Sequence, residues 1–212
     1  MNTRSVSIHA GRRLGITLIT ITLLLLAYRQ MKGAEVVATV TGIVRGGSGD
    51  MLHIFGTKRD MTGQPFTLVF TFDDTKGKPI KITQCQGTAS GVEGDGDDSP
   101  GKAVLTIGDK SYTFGAGKRR HSGTWREITT DCARSHIVFQ VNDNTDKYSN
   151  TIELNIRPAI GARSFTQDTD WRHPLSFSLD NYDNMSGFAI GLNAVYADGG
   201  MFDAKTVTIT RH

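Results

Sequence analysis

The side chains best suited to ligand chemistry surround one tryptophan in the last quarter of the chain. Asp168 and Asp170 precede Trp171, and His173 follows it. An indole ring can stack on the apolar face of a sugar, while carboxylates and imidazole hydrogen-bond its hydroxyls. These four residues therefore predict a sugar-binding platform, with burial of Trp171 in a core as the alternative. Three further aromatic residues could extend the platform: Trp125, Tyr182 and Tyr196.

A second group of candidate ligands lies in an acidic, glycine-rich segment. Glu93, Asp95, Asp97 and Asp98 follow one another within six positions. Calcium takes carboxylate oxygens from flexible loops of this kind. The segment lacks the distal glutamate of the twelve-residue helix-loop-helix calcium loop. Two interpretations stay open, a calcium site and a solvated loop.

Local motifs for catalysis are missing from the sequence, which has no Gly-x-Ser-x-Gly elbow, phosphate loop or zinc-binding histidine pair. The segment from Gly46 to Asp50 is typical of a turn. We therefore predict no catalytic residue. A glycan hydrolase remains the alternative, because its two carboxylates come from distant strands and leave no local signature.

The N-terminus is typical of an export leader. Arg12 and Arg13 precede an apolar run from Leu14 to Ala27, which is shorter than the roughly 18 to 20 residues of a comfortable membrane span. We predict a signal peptide or N-terminal membrane anchor helix over residues 1–34 and one domain over 35–212. The protein is then periplasmic, extracellular or associated with the outer surface.

Net charge argues against nucleic acid as a partner. Five of the 24 Lys and Arg residues and none of the 21 Asp and Glu residues lie in 1–34, so 19 basic and 21 acidic residues leave −2 on 35–212. The basic cluster from Lys118 to His121 has no interleaved aromatic residues, which single-stranded nucleic acid would require. We expect membrane contact only through residues 14–27, and only if the leader is not cleaved.

Cys85 and Cys132 are the two cysteines of the chain. In an oxidising compartment an even pair predicts a disulfide bond. The bridge would close a loop of about 47 residues and stabilise the domain by roughly 3 to 4 kcal/mol in the chain-entropy account.

Alternating apolar and polar residues predict an all-β fold. In the segment from Phe66 to Phe72, every second residue is Phe or Leu, as in a strand with one buried face. Eleven short strands at this spacing predict an antiparallel β-sandwich, jelly-roll-like or immunoglobulin-like. The predicted strands are 36–44, 66–73, 78–85, 102–107, 111–114, 124–129, 136–142, 151–157, 175–179, 187–193 and 205–211. We expect irregular segments at 45–64, 87–101 and 159–174.

Two stretches at the ends of the predicted domain carry a family resemblance. They comprise Val40 to Val44, Asp50, Ile54 to Gly56 and Gly63 to Asp73 at the start, and Gly199-Gly200 with Ala204 to Thr210 at the end. The chain thereby resembles bacterial exported β-sandwich proteins, notably the extracellular regions of exosortase-sorted (PEP-CTERM) proteins. The resemblance implies envelope or matrix association in a Gram-negative bacterium and transfers no catalytic residues. Such proteins carry a Pro-Glu-Pro sorting signal, a membrane segment and a basic tail at the C-terminus. Here His212 directly follows the last predicted strand, so we expect no sorting of that kind, and either retention by the N-terminal segment or release.

These features together predict a non-enzymatic extracytoplasmic binding or structural module. Its expected partner is polysaccharide or an envelope protein, and calcium is the only cofactor considered. A secreted glycan hydrolase and a self-assembling surface subunit are the alternatives, the latter through exposed strand edges.

Overall fold

The computed structural model describes residues 34–45, 49–50, 52–56, 60–80, 87–129, 135–144, 148–158, 168–179, 182–184, 186–192 and 195–212. The chain divides into two compact units, residues 1–33 and 34–212, and the second holds every described residue. The leader as far as Gly33 and both cysteines lie outside the described residues. The predicted export and the predicted Cys85–Cys132 bridge therefore stay predictions.

Strands make up most of the described chain. They are β1 (Glu35–Val44), β2 (Gly49–Asp50), β3 (Pro65–Asp73), β4 (Lys78–Pro79), β5 (Gly87–Asp95), β6 (Gly101–Ile107), β7 (Lys110–Phe114), β8 (Arg119–Thr129), β9 (Ser135–Asn144), β10 (Tyr148–Pro158), β11 (Leu175–Ser178), β12 (Tyr182–Asn184), β13 (Gly187–Leu192) and β14 (Val195–Arg211). One 3-10 turn, Gly96–Asp98, connects β5 to β6. Within the part of the chain that the structure describes, no helix has the length and apolar character needed to cross a membrane.

The strands form one continuous antiparallel sheet. Its order is β4-β5-β8-β9-β10-β13-β14-β1-β3-β6-β7, with β2 and β11 paired to β14 and β12 paired to β10. Strand β14 joins the two halves, because Val195 to Met201 pair with β13 and Phe202 to Arg211 pair with β1. The sheet is therefore curled, and its two halves share one long strand.

The inner faces of the two halves supply the core. Phe66, Leu68, Phe70 and Phe72 of β3 are all buried, as their alternation predicts. Across the interior, the Phe139 ring of β9 lies 5.4 Å from the Phe70 ring and 5.8 Å from the Phe72 ring between centroids. Burial of such rings is the main favourable term in folding, about 25 cal/mol per Å² of apolar surface.

The all-β antiparallel prediction is confirmed. The predicted arrangement of two stacked sheets is not confirmed, because strand pairing continues without a break through β14. Gly108 and Asp109 form the tight turn that joins β6 to β7, with Ile107 opposite Lys110. Gly108 has φ 61°, the conformation that glycine supplies at the first central position of a tight hairpin turn.

One predicted irregular segment is wrong, and so are several predicted strand boundaries, among which the starts of β14 and β8 differ most. The segment 87–101 is mostly strand β5, whose small polar residues show no apolar alternation and are held by pairing with β8. Strand β14 begins at Val195, not at 205, and Gly199 and Gly200 lie inside it. The backbone of β13 approaches Gly199 closely, since a Cβ atom on Gly199 would lie 3.2 Å from the Phe188 carbonyl oxygen. Strand β8 likewise begins at Arg119, five residues before the prediction.

Candidate functional site

Trp171 lies in the core of the domain. Its side chain is 2% exposed, and its ring meets the Phe72 ring edge to face at 6.2 Å between centroids. The core-packing interpretation of this residue is therefore the one that the structure shows. A buried ring offers no face on which a sugar could stack.

The polar residues around Trp171 do come together, as the sequence predicts. His173 Nδ1 lies 3.1 Å from Asp168 Oδ2, and His173 Nε2 lies 3.5 Å from Asp170 Oδ2. The Arg172 guanidinium donates two hydrogen bonds to the Asp170 carboxylate, at 2.7 and 2.9 Å. These bonds lower the pKa of Asp170 below its ordinary value, against a smaller opposing effect of burial. The four residues form a partly exposed, internally paired loop cluster.

A buried arginine holds this loop cluster in place. Arg126 of β8 is 1% exposed and donates through Nη2 to the carbonyl oxygen of His173. Burial lowers the pKa of the Arg126 guanidinium, and the charges of Asp168 and Asp170 raise it in part. The inward-facing cation thus connects β8 to the loop that carries Trp171.

The residues of the predicted calcium site lie on β5 and on the following 3-10 turn. Glu93 and Asp95 belong to the strand, and Asp97 and Asp98 to the turn. Asp95 lies 3.0 Å from His121 Nδ1, and Asp97 lies 3.6 Å from Arg120 Nη2. Over the described ranges, no group of three or more His, Cys, Asp or Glu side chains is arranged to hold a metal ion. The calcium site stays a prediction.

The second tryptophan lies on the opposite side of the sheet from the core. Arg126 of β8 and its cross-strand partner Ile137 of β9 are both buried inside the curl. Because successive side chains alternate between faces, Trp125 and Glu127 face outward with His136. Trp125 is partly exposed, whereas the side chains of Glu127 and His136 are only 9% and 13% exposed.

These three outward side chains form one hydrogen-bonded group. Trp125 Nε1 lies 3.2 Å from His136 Nε2, which in turn lies 3.2 Å from Glu127 Oε2. The Nε2 atom can serve one of them at a time: unprotonated, it accepts from Trp125, and protonated, it donates to Glu127. The indole N–H is therefore engaged in one tautomer and available to a ligand in the other.

The outward group continues onto β10. Asn155 Nδ2 donates to Glu153 Oε1 at 3.1 Å, and Arg157 Nε donates to Asn155 Oδ1 at 3.3 Å. Register places Asn155 opposite Val138 of β9, which is itself opposite Trp125. We call the whole set the Trp125 face: Trp125, Glu127, His136, Glu153, Asn155 and Arg157.

Glycines leave room around the indole of Trp125. Gly91 of β5 lies directly opposite Trp125, where a Cβ atom would come within 2.4 Å of the Trp125 Cβ. A Cβ atom on Gly123 would lie 3.6 Å from Trp125 Cζ3, within ordinary contact distance. The Trp125 side chain therefore lies close against the backbone of two buried glycines, and its own exposure is intermediate.

Sequence reasoning named Trp125 as an aromatic candidate but missed its neighbours as a site. The inward face of β8 carries Ser122, Thr124 and Arg126, all buried, so polarity alone does not reveal which face is outward. The available signal is the two-residue spacing of Trp125 and Glu127, which places both side chains on one face of the strand. The side chains of Tyr182 and Tyr196, the other predicted platform residues, lie outside those that the structure describes.

Comparisons with protein-family models, with curated proteins and with solved structures find no match to this chain.

Proposed function

We propose that this chain is a non-enzymatic extracytoplasmic binding module that holds a polysaccharide of the bacterial envelope on the Trp125 face. One observation carries the proposal. A partly exposed indole lies on the same outward face as a carboxylate, an imidazole, an amide and a guanidinium on three adjacent strands. The ring supplies apolar stacking area, and the polar groups supply partners for hydroxyls.

The strand-borne position of the face supports recognition of an extended ligand. The side chains of Glu153, Asn155 and Arg157 project from alternate positions of β10, so they follow one strand across the face. Their mutual hydrogen bonds restrict their motion before a ligand arrives, which lowers the entropy cost of binding. The same face could bind an envelope protein, because Trp and Arg are enriched at interfaces.

Placement outside the cytoplasm is part of the proposal. It rests on the basic and apolar leader pattern and on the resemblance to exported β-sandwich proteins. The disulfide between Cys85 and Cys132 belongs to the same inference, because such bridges persist in oxidising compartments.

We also infer that the two halves of the curled sheet pack face to face as the two layers of a β-sandwich. Facing aromatic rings on β3 and β9 support this, as does the hydrogen bond of 2.7 Å from Asn150 Nδ2 on β10 to Tyr112 Oη on β7. These contacts bring strands on one side of β14 in the pairing order against strands on its other side.

A glycan hydrolase is the second candidate, and one observation favours it. Glu127 and Glu153 both belong to the Trp125 face, and glycoside hydrolysis uses a pair of carboxyl groups. Release of reducing ends from a bound polymer would support this candidate over simple binding.

Self-assembly through sheet edges has weaker support. Among the described strands, β4 and β7 end the pairing order. Strand β4 contains Lys78 and Pro79, and β7 begins with Lys110, residue types that oppose edge pairing. We expect no increase in oligomer size with concentration in gel filtration.

Affinity electrophoresis of the full chain tests the proposal. Native gels containing hydroxyethyl cellulose, dextran or alginate should retard the wild-type protein in at least one case. Trp125→Ala should weaken that retardation at least tenfold in apparent dissociation constant, about 1.4 kcal/mol. The matched control Trp171→Phe keeps an aromatic ring in the core and should bind within about twofold of wild type.

A second pair of variants separates the Trp125 face from the loop cluster around Trp171. Asp168→Asn and His173→Ala change exposed members of that cluster and should leave binding unchanged. Loss of retardation in these variants, with normal retardation of Trp125→Ala, would overturn the assignment to the Trp125 face. Absence of retardation by every polymer would overturn the polysaccharide proposal itself.

A further inference from the structure

A cavity lies away from the Trp125 face, inside the curled sheet. Its volume is about 370 Å³, and the described residues that line it are Leu52, Ile54, Tyr112 and Ile190. The size falls within the range of small-molecule pockets. Leu52 and Ile54 are partly exposed, whereas Ile190 is 1% exposed, so the cavity reaches from the surface to the core.

Near this cavity, two buried side-chain oxygen atoms, on Asn150 and Asp143, find no hydrogen-bond partner among the described residues. Asn150 is 3% exposed and uses Nδ2 to donate to Tyr112 Oη, while its Oδ1 has no partner. Asp143 is 5% exposed and accepts from the Gly117 N–H through Oδ2 at 2.9 Å, while its Oδ1 has no partner. Buried polar atoms are nearly always paired, so both oxygens call for a donor.

Strand register places Asn150 beside the lining residue Ile190, and Asp143 one strand further along the same row. Asn150 of β10 is the cross-strand partner of Asp143 on β9 and of Ile190 on β13. The three residues therefore form one row on the inner face of three adjacent strands, with about 5 Å between neighbours. A ligand body against Ile190 would have its polar end near Asn150 and Asp143.

The negative charge of the Asp143 carboxylate favours a cation as the missing hydrogen-bond donor. Within the described residues no ion pair joins Asp143 to a basic group, and the nearest basic residue in register, Arg120, is directed to Gly96 and Asp97. A carboxylate that is 5% exposed with a missing donor is matched best by an ammonium group, which donates three hydrogen bonds.

We propose that this cavity binds a small apolar primary amine. Its ammonium group donates to Asp143 Oδ1 and Asn150 Oδ1, and its apolar body lies against Leu52, Ile54 and Ile190. This site is separate from the polysaccharide function and does not depend on it.

Titration of the full chain with benzylamine at pH 7 tests the proposal. Binding is measured by calorimetry and by NMR. Benzyl alcohol is the matched probe, because it has nearly the same shape and no positive charge. Benzylamine should bind saturably and at least tenfold more tightly than benzyl alcohol. NMR shifts should centre on the Gly117 amide, whose bond to Asp143 is perturbed by the ligand.

Three variants complete the test. Asp143→Asn should reduce benzylamine affinity at least tenfold, to the level of benzyl alcohol, and Ile54→Trp should abolish binding of both by filling the cavity. Asp109→Asn, at an exposed hairpin carboxylate, should leave the affinity for both probes unchanged. Ile54 is partly exposed, so its variant remains informative if Asp143→Asn does not fold. Equal affinity for the two probes, unchanged affinity in Asp143→Asn, or no binding of either probe would overturn the proposal.

Discussion

The two tryptophan side chains lie in different environments because they project from backbone of different kinds. Trp171 occupies a turn that folds over the end of the core, where its ring packs on Phe72. Trp125 occupies an outward position of a central strand, beside His136 and two glycines. One ring is part of the core, and the other is partly exposed.

Truncation of Trp171 should be costly for stability. Trp171→Ala removes a ring that is 2% exposed and leaves a cavity against Phe72, so the free energy of unfolding should fall by about 3 to 5 kcal/mol. Trp125→Ala should cost about 1 kcal/mol, because its ring is partly exposed. Urea denaturation of both variants measures the difference, and equal losses would contradict the assigned environments.

Asp170 should make stability depend on pH in the acid range. Its pKa is lowered from 3.8 mainly by hydrogen bonds from Arg172, so the folded state holds the ionised form more strongly than the unfolded state does. The resulting stabilisation is fully present above about pH 4 and is lost as pH falls through the lower, folded-state pKa. Solvent screening limits it to about 0.5 kcal/mol.

The test compares wild type with Asp170→Asn by urea denaturation between pH 2 and pH 6. The variant should be less stable near pH 6, and the difference should shrink towards pH 2. A difference that stays constant with pH would show that protonation of Asp170 is not linked to unfolding.

Regular alternation allowed most strands to be predicted at the scale of single elements. Strands β3 and β6 follow the simple pattern of one buried and one exposed face, and their bounds differ from the predictions by one residue. Strand β5 and the first half of β14 could not be predicted in this way. Both contain two or more glycines and show no regular apolar alternation, and partner strands determine their conformation.

Gly42 should be essential for the pairing of β1 with β14. The register shifts at Thr41 and Gly42, and a Cβ atom on Gly42 would lie 2.2 Å from the Asp203 carbonyl oxygen and 2.9 Å from the Phe66 ring. Gly42→Ala should therefore destabilise the domain by about 2 kcal/mol or more. In Gly123→Ala the new Cβ meets its nearest atom at 3.4 Å, and we expect a change within about 0.5 kcal/mol.

Thermal unfolding followed by circular dichroism compares these two glycine variants. A similar midpoint for both proteins would mean that the backbone around Gly42 adapts to a side chain, contrary to the close packing described for β1 and β14.

The whole molecule depends on contacts that the sequence does not reveal. A charged residue such as Arg126 is expected on the solvent-facing side of a strand. Arg126 instead faces the interior, because the carbonyl oxygen of His173, 47 positions away, accepts a hydrogen bond from its guanidinium. The fold class could be predicted from local periodicity. The outward orientation of Trp125 could not, because it follows from the inward orientation of Arg126.

Calcium should not contribute to the stability of the whole domain. Asp95 and Asp97 already lie near His121 and Arg120, and the four predicted ligands are divided between a strand and a turn. We expect the same unfolding midpoint in excess calcium and in chelator. A ligand at about 100 times its dissociation constant would add roughly 2.7 kcal/mol, so a rise of several degrees would establish a calcium site.

The central claim is that ligand meets Trp125 and not Trp171, and single-tryptophan fluorescence tests it most directly. The chain has two tryptophans, so Trp171→Phe reports Trp125 alone and Trp125→Phe reports Trp171 alone. On titration with the polysaccharide that retards the protein, emission of the Trp125-only variant should change saturably, and emission of the Trp171-only variant should stay constant. A saturable change confined to the Trp171-only variant would contradict the account.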